Sequence, residues 1–392
     1  MRLSMRARAL LGLLVSVGLF ALPVGASSAA TAYSKSPRVT LGQVDAQSAL
    51  RHPSVAGQAS ALLAPVKLKT FTASVVDNAH TYTYTIVGKN PAIAALNPST
   101  TITTFIVPVN IIINGLGNWD PTVADSCDAG LSALGRTQKS PIVNNKAYTW
   151  GSTAIGSAQY VDAFQRAQFW AYANPTGINP GYHVKLKVTT LPVVNVTAPT
   201  GAFIPTSCGN GLVGAVEIGW LDGYLQSTLI PALALSGVAP NTFPIFLLHN
   251  VIEYIGTTAN CCALGYHNAY TPPLSSSMQT YAVADYDNSG IIAPGDVSVL
   301  AHEVGEWMND PYTNNPTRPW GHIGQVSHCQ SNLEVGDPLS GKTLTVTMNL
   351  FKYHPQELAF FSWFYRQSPS LGVNGWYSNK ATLTTIQGTC TP

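Results

Sequence analysis

Residues 296–311 read DVSVLAHEVGEWMNDP and form the most informative stretch of this 392-residue sequence. Asp296 belongs to the residue types favoured immediately before a helix, and Pro311 disfavours continuation of a helix beyond Asp310. Apolar side chains recur at helical spacing between these two ends, so one side of the segment can face a core. The pattern predicts a helix over residues 296–309.

His302, Glu303 and Glu306 have the spacing of a metal site on this helix. Side chains four residues apart lie on one helix face, so His302 and Glu306 can bind the same ion. A zinc site that hydrolyses a substrate has three protein ligands and one open position for water. Glu303 would flank that water and accept its proton. The sequence therefore predicts His302 and Glu306 as metal ligands and Glu303 as the general base.

The segment AHEVGEWMNDP resembles the active-site helix of zincin metallopeptidases, in an H-E-x-x-E form. It is also similar to secreted bacterial proteins in which H-E-x-x-E-x-x-x-D-P precedes an E-x-x-D segment, here NLEVGDP with Glu334 and Asp337. The resemblance covers roughly residues 296–338. It implies Glu334 as the third ligand of a Zn²⁺ ion, and Asp337 as an alternative ligand or as a hydrogen-bond partner of the ligands.

The same resemblance implies an α+β fold. The expected architecture is a zincin-like mixed β-sheet with a backing helix and an active-site helix, preceded by a β-rich N-terminal part. One departure concerns Glu306, which stands where most zincins have histidine. Two carboxylates and one imidazole leave a bound divalent ion neutral, so its water is less acidic and an ion harder than zinc becomes acceptable.

Several other residues remain alternatives for the site. Asp310 lies eight residues after His302 and is either a third ligand or the residue that orders the turn after the helix. His249 and His267 either line the cleft or are structural. One of His322, His328 and His354 either replaces Glu334 or stabilises a tetrahedral intermediate, or all three are structural or lie at the surface.

Residues 285–296, DYDNSGIIAPGD, fit the spacing of a calcium-binding loop. Asp285, Asp287, Ser289 and Asp296 would be the ligands of a Ca²⁺ ion. A turn between a strand and a helix, with Asp296 as the helix cap, explains the same residues. Both interpretations stay open at this point.

The N-terminus predicts export. Three arginines precede an apolar run and small residues, as in a signal peptide cleaved after residue 26. Residues 27–70 are rich in Ala, Ser and Pro, which predicts a flexible extension or a pro-segment, and residues 71–392 are expected to form the zincin-like domain. The mature chain is then secreted, with no membrane span.

Charge argues against nucleic acid as a partner. Twenty Lys and Arg against eighteen Asp and Glu give a formal charge of +2, but three of the arginines lie in the first thirty residues, which contain no acidic residue. The remaining seventeen against eighteen give −1, so the exported chain has no large basic surface. Nothing in the sequence predicts an oligomer.

Six cysteines lie in the exported part, at positions 127, 208, 261, 262, 329 and 390. An even number in an oxidising compartment predicts three disulfides. Because adjacent cysteines seldom bond to each other, Cys261 and Cys262 are each expected to reach a distant partner, for which Cys329 is one candidate.

Periodicity predicts the remaining elements. Residues from 70 to about 113 have the composition of paired strands, and further strands are expected at 182–196, 244–256 and 279–286. Helices are expected at 157–174, 216–235 and 353–370.

Two functions follow from the sequence. The first is a secreted metal-dependent hydrolase, most simply a zinc metallopeptidase acting on a peptide or protein substrate. The second is a non-catalytic extracellular binding or structural protein that keeps a degenerate metal site.

Overall fold

The computed structural model describes residues 38–39, 46, 50, 66–128, 130–273, 275–291 and 295–391. These residues have a mixed α+β structure that begins with a strand-rich part, as the sequence predicts. The predicted signal peptide at 1–26 and most of the predicted extension at 27–70 lie outside the described residues. Among the described residues, no helix is long and apolar enough to cross a membrane.

The strands are numbered β1 to β19 in chain order. They are Thr70–Asp77, His80–Val87, Thr100–Ile113, Gly117–Trp119, Lys146–Trp150, Thr153–Ala158, Val184–Thr190, Val194–Ala198, Ala202–Pro205, Leu212–Glu217, Phe243–His249, Val251–Tyr254, Cys261–Ala263, Gly265–Tyr270, Gln279–Tyr286, Pro316–Ile323, Val326–Asn332, Val346–Met348 and Phe351–Tyr353.

The α-helices are numbered α1 to α7. They are Ala133–Lys139, Tyr160–Gln168, Trp170–Ala173, Ile218–Tyr224, Ile230–Ala232, Ser298–Asn309 and Phe361–Phe364. A π-helical segment, Leu225–Leu229, joins α4 to α5, and short 3₁₀ turns occur at Ser126–Asp128, Leu233–Ser236, Asp337–Leu339 and Val373–Gly375.

A seven-stranded mixed sheet is the largest layer. Its order is β14-β15-β11-β3-β4, and the long strand β3 also pairs in parallel with β7 and then with β8. Pro108 lies in β3 between the residue opposite the end of β7 and the residue opposite the start of β8. A proline has no N–H to donate, so it is tolerated at this change of partner. Strand β14 is antiparallel to β15 and forms one edge of the sheet.

A second sheet of four strands has the order β13-β12-β10-β9. The predicted strand at 244–256 is divided between the two sheets, because β11 belongs to the large sheet and β12 to the small one. Asn250, which lies between them, has a φ of 52°. A left-handed residue of this kind turns the chain, and asparagine adopts that conformation more readily than most residues.

Helix α6 is the predicted active-site helix and packs on β14, β15, β2 and α2. Trp307 is fully buried and stacks on Phe243, with ring centroids 3.6 Å apart. The indole Nε1 of Trp307 donates to Thr280 Oγ1 at 2.9 Å, so its polar atom is also satisfied. These contacts fix the helix on the large sheet with His302 and Glu306 buried beside it.

The start of this helix differs from the prediction. It begins at Ser298, its N-terminal cap position is Val297, and no side chain caps it. Asp296 has a φ of 54°, and its carboxylate accepts from the backbone N–H of His354 at 3.0 Å and contacts His354 Nδ1 at 2.7 Å. Asp296 is therefore not the predicted helix cap, because a contact distant in sequence engages its side chain.

Some of the other predicted elements are confirmed and one is wrong in extent. The helix predicted at 157–174 is confirmed as α2 and α3, which Phe169 separates, and the strand at 279–286 is confirmed as β15. The helix predicted at 353–370 is wrong in extent, since only Phe361–Phe364 is helical. Its aromatic residues are nevertheless buried, and they pack as a cluster of rings instead of along one helix face.

Three disulfides are present, joining Cys127 to Cys208, Cys261 to Cys262 and Cys329 to Cys390. Their number agrees with the prediction, but the expectation that the adjacent cysteines reach distant partners is wrong. Both residues lie in the short strand β13, where they are buried at the edge of the small sheet and bond to each other.

Candidate metal centre

Three side chains from two segments meet at one point beside α6. Nε2 of His302 lies 3.0 Å from Oε1 of Glu306 and 3.4 Å from Oδ1 of Asp337. These three residues form a group whose ligand atoms all lie within 4.8 Å of one another, and all three are buried. The helix supplies two members at positions i and i+4, as the sequence predicts, and the segment after β17 supplies the third.

The orientation of His302 follows from its other ring nitrogen. Nδ1 lies 3.3 Å from Oε1 of Gln356, and Nε2 of the same Gln356 amide donates to the Gly336 carbonyl at 2.7 Å. An amide oxygen only accepts hydrogen bonds, so Nδ1 of His302 is the donor. In a neutral ring the lone pair is then on Nε2, which faces the two carboxylates. This is how metal-binding histidines are normally held.

Asp337 is held by amides from the β16–β17 hairpin. Gln325 Nε2 donates to Oδ1 of Asp337 at 2.6 Å, and Gln330 Nε2 donates to Oδ2 at 2.9 Å. Two donors on one carboxylate fix its direction. The backbone N–H of Gly336 donates to Glu306 Oε1 at 3.0 Å, which fixes the second carboxylate.

Gly336 permits a close approach of the chain to His302. A Cβ atom at this position would lie 2.5 Å from Nδ1 of His302 and 2.7 Å from its Cε1. No side chain fits at those distances, so any larger residue would displace the imidazole or the loop. Close packing against His302 therefore explains why a glycine occupies this position in NLEVGDP.

A small cavity lies between these side chains and two further carboxylates. It is lined by His302, Glu306 and Asp337 together with Glu303 and Glu334. The cavity leaves about 20 Å³ for the centre of a water-sized sphere, which is room for one water molecule or one ion. Glu334, the third ligand implied by the resemblance, thus lines the same cavity, and its Oε1 accepts from Asn332 Nδ2.

The residues present fit a divalent cation. A lone-pair nitrogen and two carboxylates meet within a buried space, and in an otherwise charge-poor chain these groups need a positive charge between them. Burial alone would lower the pKa of His302, but the carboxylates of Glu306 and Glu303 outweigh burial and raise that pKa well above its usual value. Nε2 of His302 and the two carboxylates therefore favour a bound cation. A proton and a metal ion compete for this place.

Glu303 differs from Glu306 and Asp337 in the hydrogen bonding of its carboxylate. Its side chain is buried, and its Oε2 has no hydrogen-bond partner among the described residues. Burial raises the pKa of Glu303 to about 7, against an opposing effect of His302. A carboxylate with a pKa near neutrality can take and release a proton at ordinary pH.

A second group shares one of these residues. His267 on β14 points its Nδ1 at Glu306 Oε2, 3.6 Å away, and at Glu303 Oε2, 3.7 Å away. All three residues are buried and form a second group of ligand atoms within 4.8 Å. Of the histidines left open by the sequence, His267 is the one that structure brings to the predicted centre.

A cleft leads to the cavity from the edge of the large sheet. It is lined by His302, Glu303, Gln325 and Gln356 and by the segment from Cys262 to Gly265. Ala46, a described residue of the predicted extension, is buried and lines both the cleft and the cavity. No other described strand pairs with the outer side of β14, which starts at this cleft.

Comparisons of the chain with models of protein families, with curated proteins and with solved structures found no match.

Asp310 orders the turn after the helix, which was one of the two interpretations of this residue. Its carboxylate accepts from the backbone N–H groups of Asn314 at 2.9 Å and Asn315 at 3.0 Å. It belongs to neither of the two ligand groups on α6. Its backbone carbonyl has a different role, because it lies 3.1 Å from Nε2 of His267.

Within the described part of the chain, the carboxylates of Asp285, Asp287 and Asp296 do not form a group of three ligand atoms close to one another. Asp285 accepts from the Val251 N–H at 3.1 Å, and Asp287 accepts from the Ser289 hydroxyl at 2.9 Å. Asp296 is turned towards His354, as described above. The contact of Asp287 with Ser289 is that of a turn, but Asp296 is not the helix cap that the turn interpretation included, and calcium binding remains a prediction.

The remaining histidines lie elsewhere. His354 pairs with Asp296, and His322 lies 4.0 Å from Sγ of Cys329. His328 is exposed on β17. His249 lies 3.5 Å from Asp125 in a separate cavity.

The sequence did not reveal the groups that orient the ligands. Gln325, Gln330, Gln356 and Gly336 carry no local motif, and their contacts join segments up to 54 residues apart. Gln356 in particular lies in the segment that periodicity assigned to a helix. The only available signal was the short E-x-x-D motif, which marked the neighbourhood of Gly336 and Asp337.

Proposed function

We propose that this protein is an exported, metal-dependent hydrolase of the zincin kind, with His302, Glu306 and Asp337 as ligands of a divalent ion. The observation that carries the proposal is the Nε2 lone pair of His302 facing two buried carboxylates beside a cavity of about 20 Å³. Asp337 replaces Glu334 as the favoured third ligand because its Oδ1 lies 3.4 Å from His302 Nε2. Glu334 lines the same cavity and remains the alternative.

The chain's own residues divide the work of hydrolysis. A divalent ion held here supplies a Lewis acid that polarises a carbonyl and acidifies water. Glu303 lines the cavity with a carboxylate oxygen that has no described partner, so it can accept the proton of that water and then return it to the leaving group. Gln356 holds His302 in the tautomer that leaves Nε2 free.

Three features support a peptide or protein substrate and action outside the cell. The cleft is bounded by β14, an edge strand, and an extended peptide can bind an edge strand through main-chain hydrogen bonds. A divalent ion at this position would attract the carbonyl oxygen of an amide and could polarise that bond. Three disulfides are typical of proteins in oxidising compartments.

A comparison of His302→Ala with His328→Ala tests the proposal. Both variants lose one histidine, but His328 is exposed and outside the cavity. Metal-stripped proteins are reloaded with Zn²⁺, analysed for bound metal, and assayed with a library of quenched fluorescent peptides. We expect the wild type and His328→Ala to cleave peptides, and His302→Ala to lose both hydrolysis and the zinc at this position.

Two results would overturn the proposal. Hydrolysis that survives in His302→Ala would place the chemistry elsewhere. Zinc bound by the wild type without turnover of any peptide, ester or amide would assign the site to a non-catalytic role, which is the second function that the sequence left open.

A further inference from the structure

Glu306 presents its two oxygens to two different histidines. Oε1 lies 3.0 Å from Nε2 of His302, and Oε2 lies 3.6 Å from Nδ1 of His267. A carboxylate in this arrangement can bind two cations, one through each oxygen. The first position is the proposed hydrolytic centre, and the second is the space next to Oε2, which His267 and Glu303 also face.

The tautomer of His267 is fixed by the end of α6. Nε2 of His267 lies 3.1 Å from the Asp310 carbonyl, which only accepts hydrogen bonds, so Nε2 carries a hydrogen. In the neutral ring Nδ1 is then a lone pair. It is aimed at the cluster, and its residue is 0 % exposed. Nδ1 has no hydrogen-bond partner among the described residues.

Three electron-rich atoms therefore face one another. Nδ1 of His267 lies 3.7 Å from Oε2 of Glu303 and 3.6 Å from Oε2 of Glu306, and these distances are too long for hydrogen bonds. They match the separation of about 3.4 Å between neighbouring ligand atoms that tetrahedral zinc requires, given metal–ligand bonds of about 2.1 Å. Like the lone pair of His267, Oε2 of Glu303 has no described partner.

We propose that a second divalent cation of the zinc or manganese class binds between His267, Glu303 and Glu306. Glu306 bridges this ion to the one in the first position, as carboxylates do in two-metal hydrolases. The inference rests on the proposed function, because Glu306 is shared by both positions. Imidazole and carboxylate together suit Zn²⁺ and Mn²⁺ better than a hard ion bound by oxygen alone.

The second ion changes the role of Glu303. A carboxylate that binds a cation through one oxygen is a much weaker base, because the positive charge opposes its protonation. When the second position fills, the proposed general base is lost although the first ion stays bound. The concentration of free metal ion therefore controls the rate of hydrolysis.

The test is the number of ions bound per chain. Metal-stripped protein is titrated with Zn²⁺ by calorimetry, and the saturated protein is desalted and analysed for zinc. Three variants are compared with the wild type. His267→Gln keeps an N–H for the Asp310 carbonyl but removes the lone pair at Nδ1. His302→Ala removes a ligand of the first position only, and His249→Gln is the control, a buried histidine outside both groups.

We expect two equivalents of zinc in the wild type and in His249→Gln, and one equivalent in His267→Gln. Two equivalents in His267→Gln would overturn the inference, because the second ion would then bind elsewhere. A single equivalent in the wild type would also overturn it. If that single ion is lost in His302→Ala and kept in His267→Gln, the proposed function stands and only the second position fails. Absence of zinc from the wild type overturns both.

His267 is fully buried, so its variant can fail to fold, and one measurement therefore uses the wild type alone. The protein is loaded with one and then two equivalents of Co²⁺ and studied by electron paramagnetic resonance. Two ions joined by a carboxylate couple magnetically, so the signal after the second equivalent should be less than twice the first. A signal that simply doubles would contradict a bridge through Glu306.

Discussion

Nδ1 of His302 donates to Oε1 of Gln356 across 3.3 Å, and the same amide donates to the Gly336 carbonyl at 2.7 Å. The histidine is thus oriented by a residue 54 positions later in the chain. Replacing Gln356 by leucine keeps its approximate size and removes both hydrogen bonds. We expect the zinc affinity of the first position to fall about 10–100-fold, the usual effect of losing such a partner. Competition for zinc with a chromophoric chelator measures this affinity.

The control for this variant is Gln138→Leu, because Gln138 lies outside the cavity and its Nε2 donates to Thr190 Oγ1. An unchanged zinc affinity in Gln356→Leu would mean that Gln356 does not orient His302.

Glu303→Gln should abolish hydrolysis without removing the ion of the first position. The amide has nearly the size of the carboxylate but accepts no proton, so kcat should fall by roughly 10²–10⁴-fold. Peptide cleavage and zinc content are measured on the same samples, loaded with one equivalent. Glu217→Gln is the matched control, since Glu217 lines neither the cavity nor the cleft. Equal kcat values in the two variants would exclude Glu303 as the base.

Asp337→Asn and Glu334→Gln decide which acidic residue is the third ligand. Asp337 lies 3.4 Å from His302 Nε2 and is held by two glutamine amides, whereas Glu334 lines the same cavity and accepts a hydrogen bond from Asn332 Nδ2. We expect Asp337→Asn to weaken zinc binding more than Glu334→Gln does, and by more than about 100-fold, the upper limit for a hydrogen-bond partner of a ligand. The reverse ranking would restore Glu334 as the ligand that the resemblance implies.

Excess zinc should inhibit hydrolysis if the second position exists. Activity is expected to rise with the first equivalent and to fall as Glu303 becomes a ligand of the second ion. In His267→Gln the rise should remain and the fall should disappear, because the second position has lost a ligand. Initial rates across a series of buffered zinc concentrations measure both phases. Equal inhibition in wild type and variant would show that excess zinc acts at another site.

Glu253 makes stability depend on pH. Its side chain is 0 % exposed, and neither carboxylate oxygen has a hydrogen-bond partner among the described residues. Burial raises the pKa of Glu253 well above its usual value of 4.5, and the nearby charges of Asp285 and Glu303 raise it further. The folded protein therefore keeps this carboxyl protonated at pH values where the unfolded chain has released the proton.

The sign of the effect follows from that difference in bound protons. Above about pH 4.5 the folded state holds one more proton at Glu253 than the unfolded state, so its contribution to stability falls as pH rises towards the folded pKa. The loss is about 1.4 kcal/mol per pH unit. Glu253→Gln has no such proton, so the variant should gain stability relative to the wild type as the pH rises above about 5. Urea unfolding at several pH values measures this difference, and a constant difference would disprove the assignment.

Much of the secondary structure could be predicted from local pattern. Strand β15 matches its prediction residue for residue, and its central apolar residues 281–284 are typical of a strand buried on both faces. The segment at 353–370 misled the same method. Its aromatic residues recur at helical spacing, but they pack as rings around Tyr365 and Phe361 in a chain that is helical for only four residues.

The sequence by itself determined the pair His302 and Glu306 and the position of Glu303, because a helix converts a spacing of four residues into a shared face. Tertiary structure alone decided the rest of the centre. It brought Asp337 to 3.4 Å from Nε2 of His302, it placed Gln356 against the other ring nitrogen, and it set His267 from the edge strand against Glu306. Those contacts join separate segments, and their distances depend on how the hairpin, the sheet and α6 pack, which no local spacing encodes.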